Sequence, residues 1–277
     1  MTGVADERGQ SNVIGVALLL GITVVALGAL TASIGVAVEE GAASADASRV
    51  IDGMDAALRP VQVTGSHVGD LHATDGRLRT VSRTVRLLND SGTVESVEAD
   101  ALVYESGGQR VTFLSGGIVR GDGPGARMAR APPFVAAPGD GVLVVGVATL
   151  DERAAVSIGG QPVTLATNVS HSRRTLPEDT YRLAVETETP AAWRTHFEEM
   201  GATVTSRDID GDGVESTIAT FDGDRVAYFV VHSMRLDVGD DGRDDERAEA
   251  SIDRRTGVGG DDARSPRLQP PERNSDA

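Results

Sequence analysis

The chain predicts an α+β protein: a long N-terminal membrane helix, then a mostly antiparallel β head with one short helix, then a disordered acidic tail. Three observations predict it. From Gln10 to Val38 no residue is charged, and about 29 residues of helix at 1.5 Å each reach roughly 43 Å, more than the 30 Å hydrocarbon core of a bilayer. From Val61 the pattern changes to short segments rich in Val, Leu and Thr, separated by Gly, Asn and Asp, which is the pattern of strands and hairpins. Between Pro190 and Met200 the apolar residues return to helical spacing.

The apolar run comes first in the chain. Asp6, Glu7 and Arg8 precede it, Glu39 and Glu40 end it, and Leu, Val, Ile, Ala and Gly fill it, as in a lipid-facing helix. An ordinary secretory signal places its small-residue cleavage site after a shorter apolar core. Here the small residue preceded by a basic one, Arg8-Gly9, stands before the run. A cut there removes residues 1–9 as a leader and leaves the helix on the mature protein; without a cut, the same segment is a signal anchor. Arg8-Gly9 followed by Gln10-Ser11-Asn12-Val13-Ile14-Gly15 resembles the class III signal of archaeal type IV pilins and archaellins. That resemblance implies cleavage between Gly9 and Gln10 by a prepilin peptidase. Many members carry an acidic residue early in the mature helix, where this chain has Asn12.

Small residues recur within the span. Gly21, Gly28 and Gly35 are seven apart, and Ala17 with Gly21 and Gly28 with Ala32 form small-xxx-small pairs, a face that lets a second helix approach closely. Gly is also simply common in membrane helices. Beyond Glu39, the residues Val50, Ile51, Met54 and Leu58 put an apolar stripe on one side of a continuing helix. This predicts a stalk through residues 10–59 that packs on the head and ends at Pro60.

Residues 60–175 read as a β-rich head. Arg77–Leu88, Glu98–Tyr104, Gln109–Leu114 and Gly117–Arg120 are the first segments, divided by turn residues. Gly141–Leu150 has the continuous apolar character of a buried strand, and Ala154–Thr167 supplies one or two more. The connections are short, which predicts antiparallel pairing. Residues 176–238 read as a small α+β unit: a strand at Thr180–Glu186, a helix at Pro190–Met200 with Pro at its start and Gly201 past its end, then strands at Ala202–Thr205, Glu215–Phe221 and Arg225–Leu236. From 239 to 277 hardly an apolar residue occurs, too little to offset the entropy of ordering. The order of a Val-Tyr strand, Gly-Gly-Ile-Val-Arg, Pro132-Pro133-Phe134, a Val-rich strand and a Trp-Arg-x-x-Phe-Glu-Glu helix is similar to a group of haloarchaeal pilin-like membrane proteins of undefined function.

Composition narrows the function. The 277 residues carry a formal net charge of −16 and contain no Lys and no Cys. Such an excess of carboxylates repels itself in dilute buffer and is screened at molar salt, which suits a halophile. No basic footprint is concentrated anywhere, so nucleic acid is not expected as a partner. Neither a disulfide framework nor a thiolate metal site is available. The sequons at Asn89 and Asn168 are compatible with glycosylation of an exported domain.

The sharpest chemical string is Asp208-Ile-Asp210-Gly-Asp212-Gly213. Alternating carboxylates in a tight turn suit a hard cation such as calcium, in a structural role. Position twelve of the string is Ala219, where an EF-hand has Glu, and an acidic Gly-rich hairpin produces the same letters. His67, His72, His171, His196 and His232 are scattered, and there is no His-x-x-x-His pair, nucleophile elbow or phosphate-binding loop. Trp193 reads as a core anchor. The sequence therefore predicts no catalytic residues and no cofactor apart from calcium. It predicts a non-enzymatic cell-surface subunit, held in membrane lipid by a single pass with its C-terminal domain outside, and joined to other pilin-like subunits in a filament for adhesion. The alternative is a monomeric anchored domain that binds a ligand or cation.

Overall fold

The computed structural model describes residues 7–58, 63–137, 141–151 and 153–240, and the side chains of all of these except 7–14, 36, 37 and 240. The chain divides into two units, Met1–Gly239, which holds the helices and sheets, and Asp240–Ala277. The leader residues 1–6, the stop at Pro60 and the expected tail beyond Asp240 lie outside the described residues.

Helix α1 (Glu7–Leu58) runs unbroken for 52 residues. In its first half, Val16, Leu18, Leu19, Leu20, Ile22, Val24, Val25, Leu27, Leu30 and Ile34 are all exposed among the described residues. The hydroxyls within it bond back to the helix, Thr23 Oγ1 to the Leu19 carbonyl at 2.7 Å and Thr31 Oγ1 to that of Leu27 at 2.9 Å. These side chains therefore need no water. In the second half, Ala47, Val50, Ile51, Met54, Ala57 and Leu58 are buried, the stripe expected from the sequence. Each of the larger ones contributes roughly 1.5–3 kcal/mol by leaving water.

The strands follow in chain order as β1 (Gly65–Leu71), β2 (Gly76–Val81), β3 (Thr84–Asn89), β4 (Gly92–Glu98), β5 (Ala101–Ser106), β6 (Gln109–Leu114), β7 (Gly117–Arg120), β8 (Arg127–Arg130), β9 (Phe134–Ala136), β10 (Val142–Leu150), β11 (Ala155–Ile158), β12 (Val163–Asp179), β13 (Arg182–Glu186), β14 (Thr203–Arg207), β15 (Ser216–Thr220) and β16 (Arg225–Asp240). Helix α2 (Pro190–Glu199) sits between β13 and β14. Three sheets result. The first is ordered β1-β12-β16-β10-β9, the second β11-β2-β5-β6-β7-β8, and the third β14-β15-β13-β3-β4.

The stalk half of α1 packs on β1 and on the faces of the first two sheets, in a core with Leu71, Leu78, Leu102, Tyr104, Phe113 and Ile118. Its closest approach is a pair of glycines. A Cβ at Gly53 would lie 2.4 Å from the Asp70 carbonyl oxygen, and one at Gly69 would lie 2.6 Å from the carbonyl oxygen of Gly53. Helix and strand meet there backbone to backbone. A second core joins Val85, Leu87, Val103, Leu143, Val145, Leu183 and Val185 to Phe134, Trp193 and Phe197. Trp193 is fully buried, its ring 6.1 Å from that of Phe134 and 5.8 Å from that of Phe197.

Three sequence expectations are corrected. Arg77–Leu88 is two strands, because the chain leaves the second sheet at Val81 and enters the third at Thr84. Residues 60–175 and 176–238 do not separate into a head and a smaller unit: β13 pairs with β3, and β16 lies between β12 and β10. The sheets are mostly antiparallel as expected, but β10 and β16 run parallel, with Val142 opposite Val226 and Leu150 opposite Met234. A long connection carrying α2 makes that crossover feasible.

Candidate functional site

Two regions carry the residues singled out by the sequence. The first is the free half of α1. It begins at Glu7, so Arg8, Gly9 and Gln10 fall in its first turn, and their side chains lie outside the described residues. Ala17 and Ala32 are exposed, and a Cβ placed at Gly21, Gly28 or Gly35 would meet nothing within 4 Å. The small-residue face is open among the described residues.

The second region is the loop between β14 and β15, folded over the outer face of the third sheet. Alternation along β13 sends Leu183 and Val185 into the core and Ala184 and Glu186 to this outer face, where Leu88, Ala184 and Ile218 form a small cluster. Ile209 packs on that cluster and pins the loop. Gly211 and Gly213 adopt φ of 80° and 91°, the left-handed region that a side chain disfavours. These turns aim backbone N–H groups at one carboxylate: Gly211 N donates to Asp208 Oδ1 at 2.7 Å and Gly213 N to Oδ2 at 3.0 Å. Those bonds hold the Asp208 carboxyl below its ordinary range.

The grouping therefore differs from the one expected. Asp208 shapes the turn, while carboxylate oxygens of Asp210 and Asp212 come within 4.8 Å of each other and of one on Glu186. Glu186 was missed because it lies more than twenty residues earlier, on another strand; its one visible signal was a carboxylate directly after the apolar run Leu183-Ala184-Val185. It is buried. Burial, then the nearby Asp212 and Asp210, push its pKa up, against the pull of Arg83 and Arg86.

Glu186 also belongs to a ladder of alternating charges. Arg79 reaches Glu105 at 3.4 Å, Glu105 reaches Arg110 at 3.3 Å, and Glu188 is bonded by both Arg110 and Arg83. Arg83 stands 3.9 Å from Glu186, Arg86 stands 3.7 Å from its other oxygen, and Arg86 bonds Asp210 at 2.5 Å. Burial alone would raise the Glu188 carboxyl, but Arg110 and Arg83 bring it below its ordinary range. The ladder ties β2, β5 and β6 of one sheet to β13 and β3 of another. Every cation in it is Arg, whose planar fork serves two carboxylates at once.

The other residues are placed as follows. Asn89 donates to Asp179 at 2.7 Å and accepts from Ser91 N, so its amide is engaged in a turn; Asn168 is exposed on β12, 3.2 Å from Ser66. His171 and His232, remote in sequence, meet Nδ1 to Nδ1 at 2.9 Å.

A β head built on the end of one long helix, with the helix's other half apolar and exposed, defines the class: a protein with one candidate membrane span among the described residues, compatible with single-pass anchoring. The chain belongs to a family of unknown function, DUF7289, whose family model matches residues 8–237. No curated protein and no solved structure matches it.

Proposed function

We propose that the protein is a non-enzymatic, pilin-like cell-surface subunit, held in the membrane by α1 with its β head outside. The observation that carries the reading is the division of α1 into an apolar half left exposed among the described residues and a half that forms the spine of the head. An anchor alone needs only the first half. A helix that passes unbroken from lipid into the head also suits transfer into a filament core, where other copies replace lipid around it.

In this reading a prepilin peptidase cuts between Gly9 and Gln10, and the open face of Ala17, Gly21, Gly28, Ala32 and Gly35 packs against neighbouring subunits. The head then meets surfaces or partners. The test is mass spectrometry of the mature N-terminus from cells with and without their prepilin peptidase. A chain beginning at Gln10 only when the peptidase is present supports processing. A chain beginning at Met1 or Thr2 in both cells leaves a monomeric anchored domain.

A further inference from the structure

We infer that Glu186, Asp210, Asp212 and Ser216 form a calcium site that clamps the β14–β15 loop onto the third sheet. Three oxygens no more than 4.8 Å apart share a central point at most about 2.8 Å from each, and Ca²⁺ takes oxygen ligands at 2.3–2.6 Å with flexible geometry. A small inward movement of the loop closes the difference. Mg²⁺, which demands about 2.0–2.1 Å and a regular octahedron, fits this spacing less well.

The observation beyond the acidic cluster is Ser216. It stands directly opposite Glu186 in the β13–β15 register, so both side chains leave the sheet on one face. Its hydroxyl is buried and has no hydrogen-bond partner among the described residues, a costly state for a polar group that an oxygen-seeking cation relieves. Charge balance points the same way. Arg86 engages Asp210 through Oδ2 and stops 3.7 Å short of Glu186, and Arg83 is shared with Glu188. Three carboxylates thus face one guanidinium and part of another. The Asp212 carboxylate accepts the Val214 N–H at 2.8 Å through Oδ1, leaving Oδ2 for a cation.

The test is calcium titration of the full chain in nanodiscs by calorimetry, in molar NaCl, where the Debye length is about 3 Å and diffuse attraction to acidic surface is screened. One saturable site is expected, with a dissociation constant on the order of 10⁻⁴–10⁻³ M. Asp212→Asn, which keeps an oxygen for the Val214 N–H, is expected to weaken it at least about tenfold without lowering the calcium-free melting temperature. Asp122→Asn, on the exposed turn after β7, is expected to bind as the parent does. Absence of saturable binding overturns the site, as does equal binding by the parent and Asp212→Asn.

Discussion

Gly28 and Gly53 are the same residue in the same helix, and their surroundings are opposite. A methyl group at Gly28 would meet nothing within 4 Å, whereas one at Gly53 would lie 2.4 Å from a backbone oxygen of β1. The same contrast runs along the whole of α1: Leu27 is 63% exposed and Met54 is fully buried. Composition already separates the two halves, since no residue from Gln10 to Val38 is charged while Glu39, Glu40, Asp46, Arg49, Asp52 and Asp55 follow. Their spacing does so too: an all-round apolar surface suits lipid and a one-sided stripe suits a protein core.

Five substitutions break or sharpen the contrast, each read as urea unfolding of the full chain in nanodiscs through the fluorescence of Trp193, the only tryptophan. Met54→Ala is expected to cost about 3 kcal/mol, the usual range for emptying such a site, while Leu27→Ala stays within about 0.5 kcal/mol. An equal loss at Leu27 would erase the distinction between the halves. Gly53→Ala is expected to cost about 2 kcal/mol, because a rigid backbone contact must open. A neutral result there would show that helix and strand separate freely.

Asp46→Asn tests the boundary between the halves. Asp46 accepts the Thr74 N–H at 2.7 Å and pairs with Arg49. Burial alone would raise its pKa, but the Thr74 and Arg49 contacts prevail and lower it. A lowered folded-state value means the contribution is present above the unfolded value near 3.9 and is lost as pH falls through the folded one. The variant is expected to cost about 1.5 kcal/mol at pH 7 and to show a shallower acid decline than the parent; an identical acid profile would remove Asp46 from the account. Gly28→Ala is expected to have the smallest effect, within about 0.5 kcal/mol. If subunits pack through that face, the same substitution lowers filament yield without moving the unfolding midpoint.

Much of this arrangement was legible in local pattern. The long apolar helix, the Val50-Ile51-Met54-Leu58 stripe, β6, β7 and α2 follow from periodicity and from the Gly and Pro that bound them. What local pattern did not carry was pairing between distant strands. Nothing in Thr80-Val-Ser-Arg-Thr84 marks a crossing from one sheet to another, since no Gly or Pro stands there; the crossing is fixed by remote bonds, Thr80 N to the Ala154 carbonyl and Ala99 N to that of Arg83. Glu186 joined the acidic loop for the same reason, through the register of β13 with β15. The string from Asp208 to Gly213 announced a turn correctly, and its first carboxylate was spent on making that turn.

The unbroken helix also makes the head a lever. From Glu39 to Leu58 the rod extends roughly 30 Å beyond the apolar segment at 1.5 Å per residue, and no described residue breaks it between span and head. Membrane helices tilt by about 20° on average and adjust that tilt to bilayer thickness. If α1 spans a membrane as proposed, a 20° change in its tilt swings the far end of the stalk sideways by about 10 Å, and a local thinning of lipid is expressed as lateral displacement of the whole β head.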